Sequence, residues 1–218
     1  MNNITVYGVP LSPFVRKVRL ALALKGIEHN INPVIPFGDG QPEEFKKHSP
    51  LGKIPLLSVN GEEFIPDSSV ICGWLDKVST DKLIVPADPS AAARALWFEE
   101  YADSHMASII GGHLFAEVVL ARAFFGREPN QDEIELAKTK EIPEIFDYIE
   151  GELSGDYLVA DEITLADLAV GSVFVNMMHA GHQCDGAKWP KTAAYIERLH
   201  GSEMFASLIA QEKQFLAG

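Results

Sequence analysis

Two cysteines in 218 residues, Cys72 and Cys184, are too few and too far apart for a disulfide framework, and they form no CxxC pair. The plain reading is two reduced, buried thiols in a cytoplasmic protein. Basic residues are scarce as well: 18 Lys and Arg stand against 31 Asp and Glu, a formal net charge of −13 at pH 7. Phosphate contact needs clustered Lys and Arg, so this balance argues against nucleic acid as a partner and against an anionic membrane surface. No apolar run approaches the length of a bilayer span, which speaks against a transmembrane helix. The opening MNNITVYG lacks a basic segment followed by an apolar one, so no secretory signal is expected. His113, His179 and His182 form no ligand pattern with nearby carboxylates, and no metal is predicted. Repeats and low-complexity tracts are missing too.

What is present suits one large or two compact globular domains, with 47% hydrophobic residues available for a core. The most informative stretch is Ile4 to Gly26, ITVYGVPLSPFVRKVRLALALKG. Ile4 and Val6 alternate as in a strand. A loop follows, then a helix with Ser12 suited to the N-cap, Pro13 to the first helical position and Gly26 to the stop. Phe14, Val15, Val18 and Leu22 make an apolar face, and Arg16, Lys17 and Arg19 populate the other. A strand thus delivers a hydroxyl to the positive end of a helix, where anions are stabilised. Read alone, Ser12 is more simply explained as a helix cap.

Further along, Glu28 to Ile35 reads as a second strand parallel to the first, completing a βαβ unit. The next stretch, FGDGQPEEFKKHSPLGK, is mainly loop, with one helical turn around Pro42 to Lys47. Ile54 to Ile65 carries a hairpin signal with a type I′ turn at Asn60-Gly61. Pro55 stands at the first position of that strand, a corner where an X-Pro peptide can be held cis; a cis bond there would turn the N–H and C=O of Ile54 outwards. Asp67 and Ser68 then open a helix with Val70, Ile71, Trp74, Leu75 and Val78 on its apolar face, a second candidate anion site. The order to this point is βαβαββα over residues 1–79. The proline-bearing TDKLIVPADPS places a linker at 80–90, and 91–218 reads as all-α. There Ala91 to Phe125 is expected to kink at Gly111-Gly112 and stop at Gly126, and Gln131 to Leu153 to bend or split at Pro143. Thr164 to Asp167 is a capping box opening a helix that is apolar nearly all round and so belongs at a domain centre. Pro190 to Leu199 and Ser202 to Phe215 complete the half. Trp74 and Trp97 are expected in the core.

LSPFVRKVRLALALKGI, SPLGKIPLL, DSSVI and ITLADLAV, in this order and spacing, resemble a soluble glutathione transferase across the whole chain. The resemblance implies a thioredoxin-like first domain and an α-helical second one, with glutathione as co-substrate, no metal, and a homodimer. By the same resemblance Ser12 matches the hydroxyl that hydrogen-bonds the glutathione sulfur in serine-type classes. Ile54, before the cis-proline match Pro55, matches the main-chain partner of the cysteinyl unit, and Asp67-Ser68 the pair that binds the γ-glutamyl end. Gln41 and Lys53 lie where the glycyl carboxylate is held, and Phe14 lies beside the site. A wall for a hydrophobic electrophile is expected from Phe14, Phe37, His105, Ile109 and Phe215, although core or interface packing explains each as readily. Tyr7 sits where tyrosine-type classes carry their hydroxyl; the SPF before VRKV favours Ser12. Serine at this position forms no mixed disulfide, so glutaredoxin-like reduction is not expected. The SSCSWRVR-like pattern of the isomerase class is absent. Peroxidase or dehalogenase chemistry on the same thiolate, and a non-catalytic binding protein of this fold, stand as alternatives.

Overall fold

The computed structural model describes residues 3–37, 40–79, 81–159 and 161–217. They divide into two compact units, Met1–Val85 together with Glu203–Gly218, and Pro86–Ser202.

The first unit is built on a four-stranded mixed sheet of order β2-β1-β3-β4, with β1 Ile4–Tyr7, β2 Asn30–Asn32, β3 Leu56–Val59 and β4 Glu63–Pro66. β2 runs parallel to β1, while β3 pairs antiparallel with β1 and β4. Helix α1 (Pro13–Leu24) makes the β1–β2 crossover, α2 (Glu43–His48) precedes β3, and α3 (Ser68–Val78) follows β4. This is the thioredoxin-like βαβαββα arrangement. Asn60 and Gly61 both have positive φ, 56° and 75°, and Glu62 N–H returns to Val59 C=O, as a type I′ turn requires. The second strand is only three residues long: Glu28 and His29 stay outside the ladder, and pairing ends at Asn32.

Two expectations fail in this unit. Val70 and Val78 on α3 are exposed and Trp74 is half-buried, because the inward face of that helix is Ser68, Ile71, Cys72 and Leu75. Arg16, Lys17 and Arg19, read as the polar face of α1, are buried. Lys17 meets Ser69 of α3, and Arg16 and Arg19 meet a helix from the far end of the sequence. Glu203–Ala217, expected with the second half, packs on α1 and belongs to the first unit.

The second unit consists of α4 (Pro89–Ala123), α5 (residues 131–152), α6 (Leu165–His179) and α7 (Pro190–Gly201); the helix Glu203–Ala217 of the first unit is α8. Every residue of α6 from Leu165 to Met177 is buried, as its all-round apolar sequence demands. It packs on both halves of α4. Pro143 does not split α5. The turn Ala137–Glu141 just before it is wound as π-helix, and the chain continues helically to Glu152. A wider turn accommodates the backbone where proline supplies no N–H. Gly111-Gly112 likewise lies inside a continuous π-wound stretch, Tyr101–Leu120. Contrary to the reading of the apolar runs, α4 is long and apolar enough by length and composition to cross a membrane. Its Met106, Ile110, Leu114 and Phe115 are nevertheless buried among the helices of this unit. Trp97 is 53% exposed rather than core, and its Nε1 donates to Tyr148 Oη at 2.6 Å.

Candidate active site

Ser12 caps α1. Its backbone is extended (φ −72°, ψ 125°), its Oγ accepts from Val15 N–H at 3.3 Å, and its C=O accepts from Arg16 N–H at 2.9 Å. A hydroxyl has one donor and two acceptor positions. Among the described residues the Ser12 hydroxyl donates to none, and the side chain is half-buried. A donor at the positive end of a twelve-residue helix is what an incoming anion needs.

Two further pieces of chain converge on this turn. The Ile54–Pro55 peptide is cis, and both residues are buried. Among the described residues, Ile54 N–H and C=O have no hydrogen-bond partner. Gly8, at the end of β1, brings the corner and the cap together: a Cβ there would stand 2.4 Å from Val15 Cγ2 and 3.4 Å from Ile54 Cβ. Only a residue without a side chain lets the three backbones approach so closely. Asp67 caps α3, its Oδ1 accepting from Ser69 N–H at 2.9 Å and Val70 N–H at 3.2 Å. Its backbone sits at φ 75°, ψ 135°, a conformation costly for any residue but glycine. Lys17 Nζ reaches Ser69 Oγ at 3.5 Å and so links α1 to the Asp67 turn.

Gln41 uses its Nε2 on Ile35 C=O at 3.2 Å, and Lys53 is exposed, its C=O accepting from Ser49 Oγ at 2.8 Å. Ser68 is buried behind the exposed Asp67, whereas Phe14 is half-buried. Phe37 and Phe215 are exposed aromatics of the first unit. In the second unit Ile109 is buried in the core, and His105 is exposed with its ring 5.1 Å from that of Tyr101. Burial, with Tyr148 and Glu144 nearby, pushes the Tyr101 hydroxyl to about 12. Tyr7 is half-buried; its ring lies 6.5 Å from Phe64, which stacks on His48 at 4.1 Å. Cys72 is buried, while Cys184 is only half-buried; burial still pushes its thiol up to about 12, well out of reach as a nucleophile at neutral pH. Among the described residues no group of three His, Cys, Asp or Glu side chains is placed to hold a metal ion.

Comparison with known proteins decides the family. Residues 11–78 match the model of the glutathione S-transferase N-terminal domain, and residues 114–203 that of its C-terminal domain. Glutathione S-transferase 3 of Zea mays is 32% identical over 171 residues, which cover 77% of this chain and 75% of that protein. The chain belongs to the glutathione S-transferase family. A solved glutathione S-transferase from Rhodospirillum rubrum shares its fold at a TM-score of 0.85 and 21% identity, covering 94% of this chain and 91% of that one. Another, from Methylobacterium radiotolerans in complex with glutathione sulfonate, has a TM-score of 0.76 at 26% identity, covering 95% of each chain.

Sequence reasoning missed two parts of this transferase-family site. Gly8 stood in the strand–helix loop as a bare glycine, and its signal is only its position four residues before the cap. The side chains behind the cap were hidden more deeply. Arg16 donates bidentately to Glu212, 196 residues away, through Nε to Oε1 and Nη2 to Oε2, each at 2.7 Å. Arg19 Nη2 donates to Gln211 Oε1 at 2.7 Å. Burial lowers the Arg19 guanidinium below its usual value, with Glu212 pulling it back and Arg16 pushing it further down. Burial and the Arg19 charge together lower His29.

Proposed function

We propose that the protein is a glutathione transferase of serine type, with Ser12 donating its hydroxyl hydrogen to the sulfur of glutathione and holding it as thiolate for attack on a small hydrophobic electrophile. The observation that carries this reading is the state of Ser12: Oγ engaged as acceptor by Val15 N–H, its proton uncommitted, at the start of α1. Family membership and the cis Ile54–Pro55 corner beside it support the same reading. In this proposal the free Ile54 peptide groups pair with the cysteinyl unit, and Asp67-Ser68 hold the γ-glutamyl end. Lys53 faces the glycyl carboxylate, and Gln41 joins it on giving up its bond to Ile35. Tyr7 packs with Phe64 and takes no part. The subunits pair as a homodimer.

The magnitudes suffice. A thiol pKa near 8.5 leaves only a few per cent thiolate at neutral pH, and lowering it by about 2 units requires roughly 2.7 kcal/mol of preference for the anion. One hydrogen bond to a charged acceptor contributes about 1.5–3 kcal/mol. The helix end adds about 0.3–1 kcal/mol. Serine therefore acts as a donor, not a nucleophile, and needs no base beside it.

The test is a pH titration of bound glutathione by its thiolate absorbance, in the wild type and in Ser12→Ala. The expected wild-type thiol pKa lies well below 8.5 and returns towards it in the variant. A bound thiol with no shift, or a variant indistinguishable from wild type, removes Ser12 from the mechanism and favours a binding protein or Tyr7.

A further inference from the structure

Between α2 and β3 the chain turns through residues 49–55, and one polar side chain of that turn faces inward. Pro50, Leu51 and Lys53 are exposed, Leu51 to 79%, whereas Ser49 is buried at 5%. The backbone of Ser49 is engaged on both sides. Its N–H donates to Phe45 C=O at 2.8 Å and closes α2, and its C=O accepts from Gly52 N–H at 2.9 Å. Gly52 stands at φ 63°, which suits a residue without a side chain. The Ser49 hydroxyl donates to Lys53 C=O at 2.8 Å, and among the described residues that carbonyl has no other hydrogen-bond partner. Closing the helix and the turn accounts for the two backbone bonds. It does not account for the hydroxyl's.

Lys53 C=O and Ile54 N–H belong to one peptide group, and the bond between them is trans. A trans peptide is planar, with its C=O and N–H pointing in opposite directions. A hydroxyl that fixes the carbonyl therefore fixes the N–H as well. Hydrogen bonds in series also polarise one another, so a bond accepted at the carbonyl strengthens the N–H as a donor. Pro55 has no N–H, which makes that of Ile54 the last donor before β3, and it has no partner among the described residues. It is the donor that the proposed function gives to the cysteinyl unit, whose main-chain acceptor is its carbonyl.

We infer that Ser49 is a positioning residue for glutathione: by holding the Lys53 carbonyl, it sets the direction of the Ile54 N–H that the cysteinyl carbonyl accepts. The inference rests on the reading of Ile54 as the partner of the cysteinyl unit and does not depend on Ser12.

The experiment uses the full chain and measures dissociation constants by calorimetry for two ligands: glutathione, and an isostere in which a trans alkene replaces the Cys–Gly amide. The isostere keeps the thiol, the γ-glutamyl end and the glycyl carboxylate, and loses the cysteinyl carbonyl with the glycyl N–H. Wild type should bind glutathione about three- to tenfold more tightly than the isostere, the scale of one hydrogen bond. In Ser49→Ala glutathione should weaken by about that same factor, while the isostere binds as it does to wild type. In turnover the loss should fall on the glutathione KM rather than on kcat. Ser49→Cys, whose thiol is a weak donor, should show the same pattern at smaller size, and it is the deciding variant if Ser49→Ala fails to fold. A merely structural role, or one exerted through the Lys53 side chain on the glycyl carboxylate, would weaken both ligands alike, and that result overturns the inference. So does a Ser49→Ala protein that binds glutathione like wild type or still tells the two ligands apart; the reading of Ile54 then stands. If wild type itself fails to distinguish the ligands, the reading of Ile54 falls and the inference falls with it.

Discussion

At Gly8 a single hydrogen atom decides whether the cap of α1 and the Ile54–Pro55 corner can lie side by side. An added methyl group would overlap Val15 Cγ2 at 2.4 Å, and Val15 is the residue whose N–H steadies Ser12. Gly8→Ala should cost about 1–3 kcal/mol, as overpacking of a tight core does, and weaken glutathione binding as well. Thermal denaturation and a glutathione titration check both; an unchanged melting temperature would show that Val15 yields freely. Ser12, Pro55 and Asp67 could be read from the sequence because each acts on its own few residues of backbone, through a cap, a proline corner or a turn. The burial of Arg16, Lys17 and Arg19 could not. An amphipathic pattern reports where charges lie on a helix, not whether a distant segment meets them, as Glu212 and Gln211 meet Arg16 and Arg19 and Ser69 meets Lys17.

At the scale of elements, the end of α4 shows how helices are tied to their connections. Glu117, buried on α4, accepts from both Nη atoms of Arg127 and from Asn130 N–H at 2.7 Å. Asn130 in turn caps α5. The Arg127 and Asn130 bonds hold the Glu117 carboxyl down at about 2, against an ordinary value of 4.5. A carboxylate whose pKa is depressed by folding adds stability that is complete above its unfolded value and is lost as pH falls through the folded one. Wild type should therefore lose stability between about pH 5 and 2 from this group, whereas Glu117→Gln starts lower and lacks that slope. Denaturant midpoints measured across the range should converge at the acid end; parallel curves would refute the assignment. The helices themselves were legible because apolar spacing and capping residues are local signals: the buried Thr164–Asp167 start of α6 is an example, its carboxylate accepting from Thr164 N–H at 2.8 Å and Leu158 N–H at 3.1 Å. The winding was not legible. Proline 143 announces a fault in the α pattern, but whether the chain breaks or widens by one residue depends on what packs around it.

For the whole molecule, the two units meet in the chain between Val85 and Pro86, and the stretch just before that point is no slack tether. Lys25 Nζ donates to Ser79 C=O and Lys82 C=O, both at 2.7 Å, and pairs with Asp76 at 2.9 Å. The Asp76 carboxylate also accepts the N–H groups of Ile84 and Val85, each at 2.8 Å. Asp76→Asn should cost about 1.5–3 kcal/mol, the scale for hydrogen bonds to a charged group, and should speed amide exchange at Ile84 and Val85 first. Exchange that accelerates evenly across the chain would contradict that local role. The return of α8 to the first unit was beyond the sequence, since nothing in an amphipathic helix names its partner. That return sets a schedule for synthesis. The β-sheet and α1 leave the ribosome early, while Glu212 and Gln211, which accept from Arg16 and Arg19, are added after the whole of Pro86–Ser202. At about 5–20 residues per second, the nascent first unit waits for seconds before Gln211 and Glu212 reach it. The helical unit is contiguous in the chain, so the half of the protein whose synthesis begins earlier is the half whose last segment is made later.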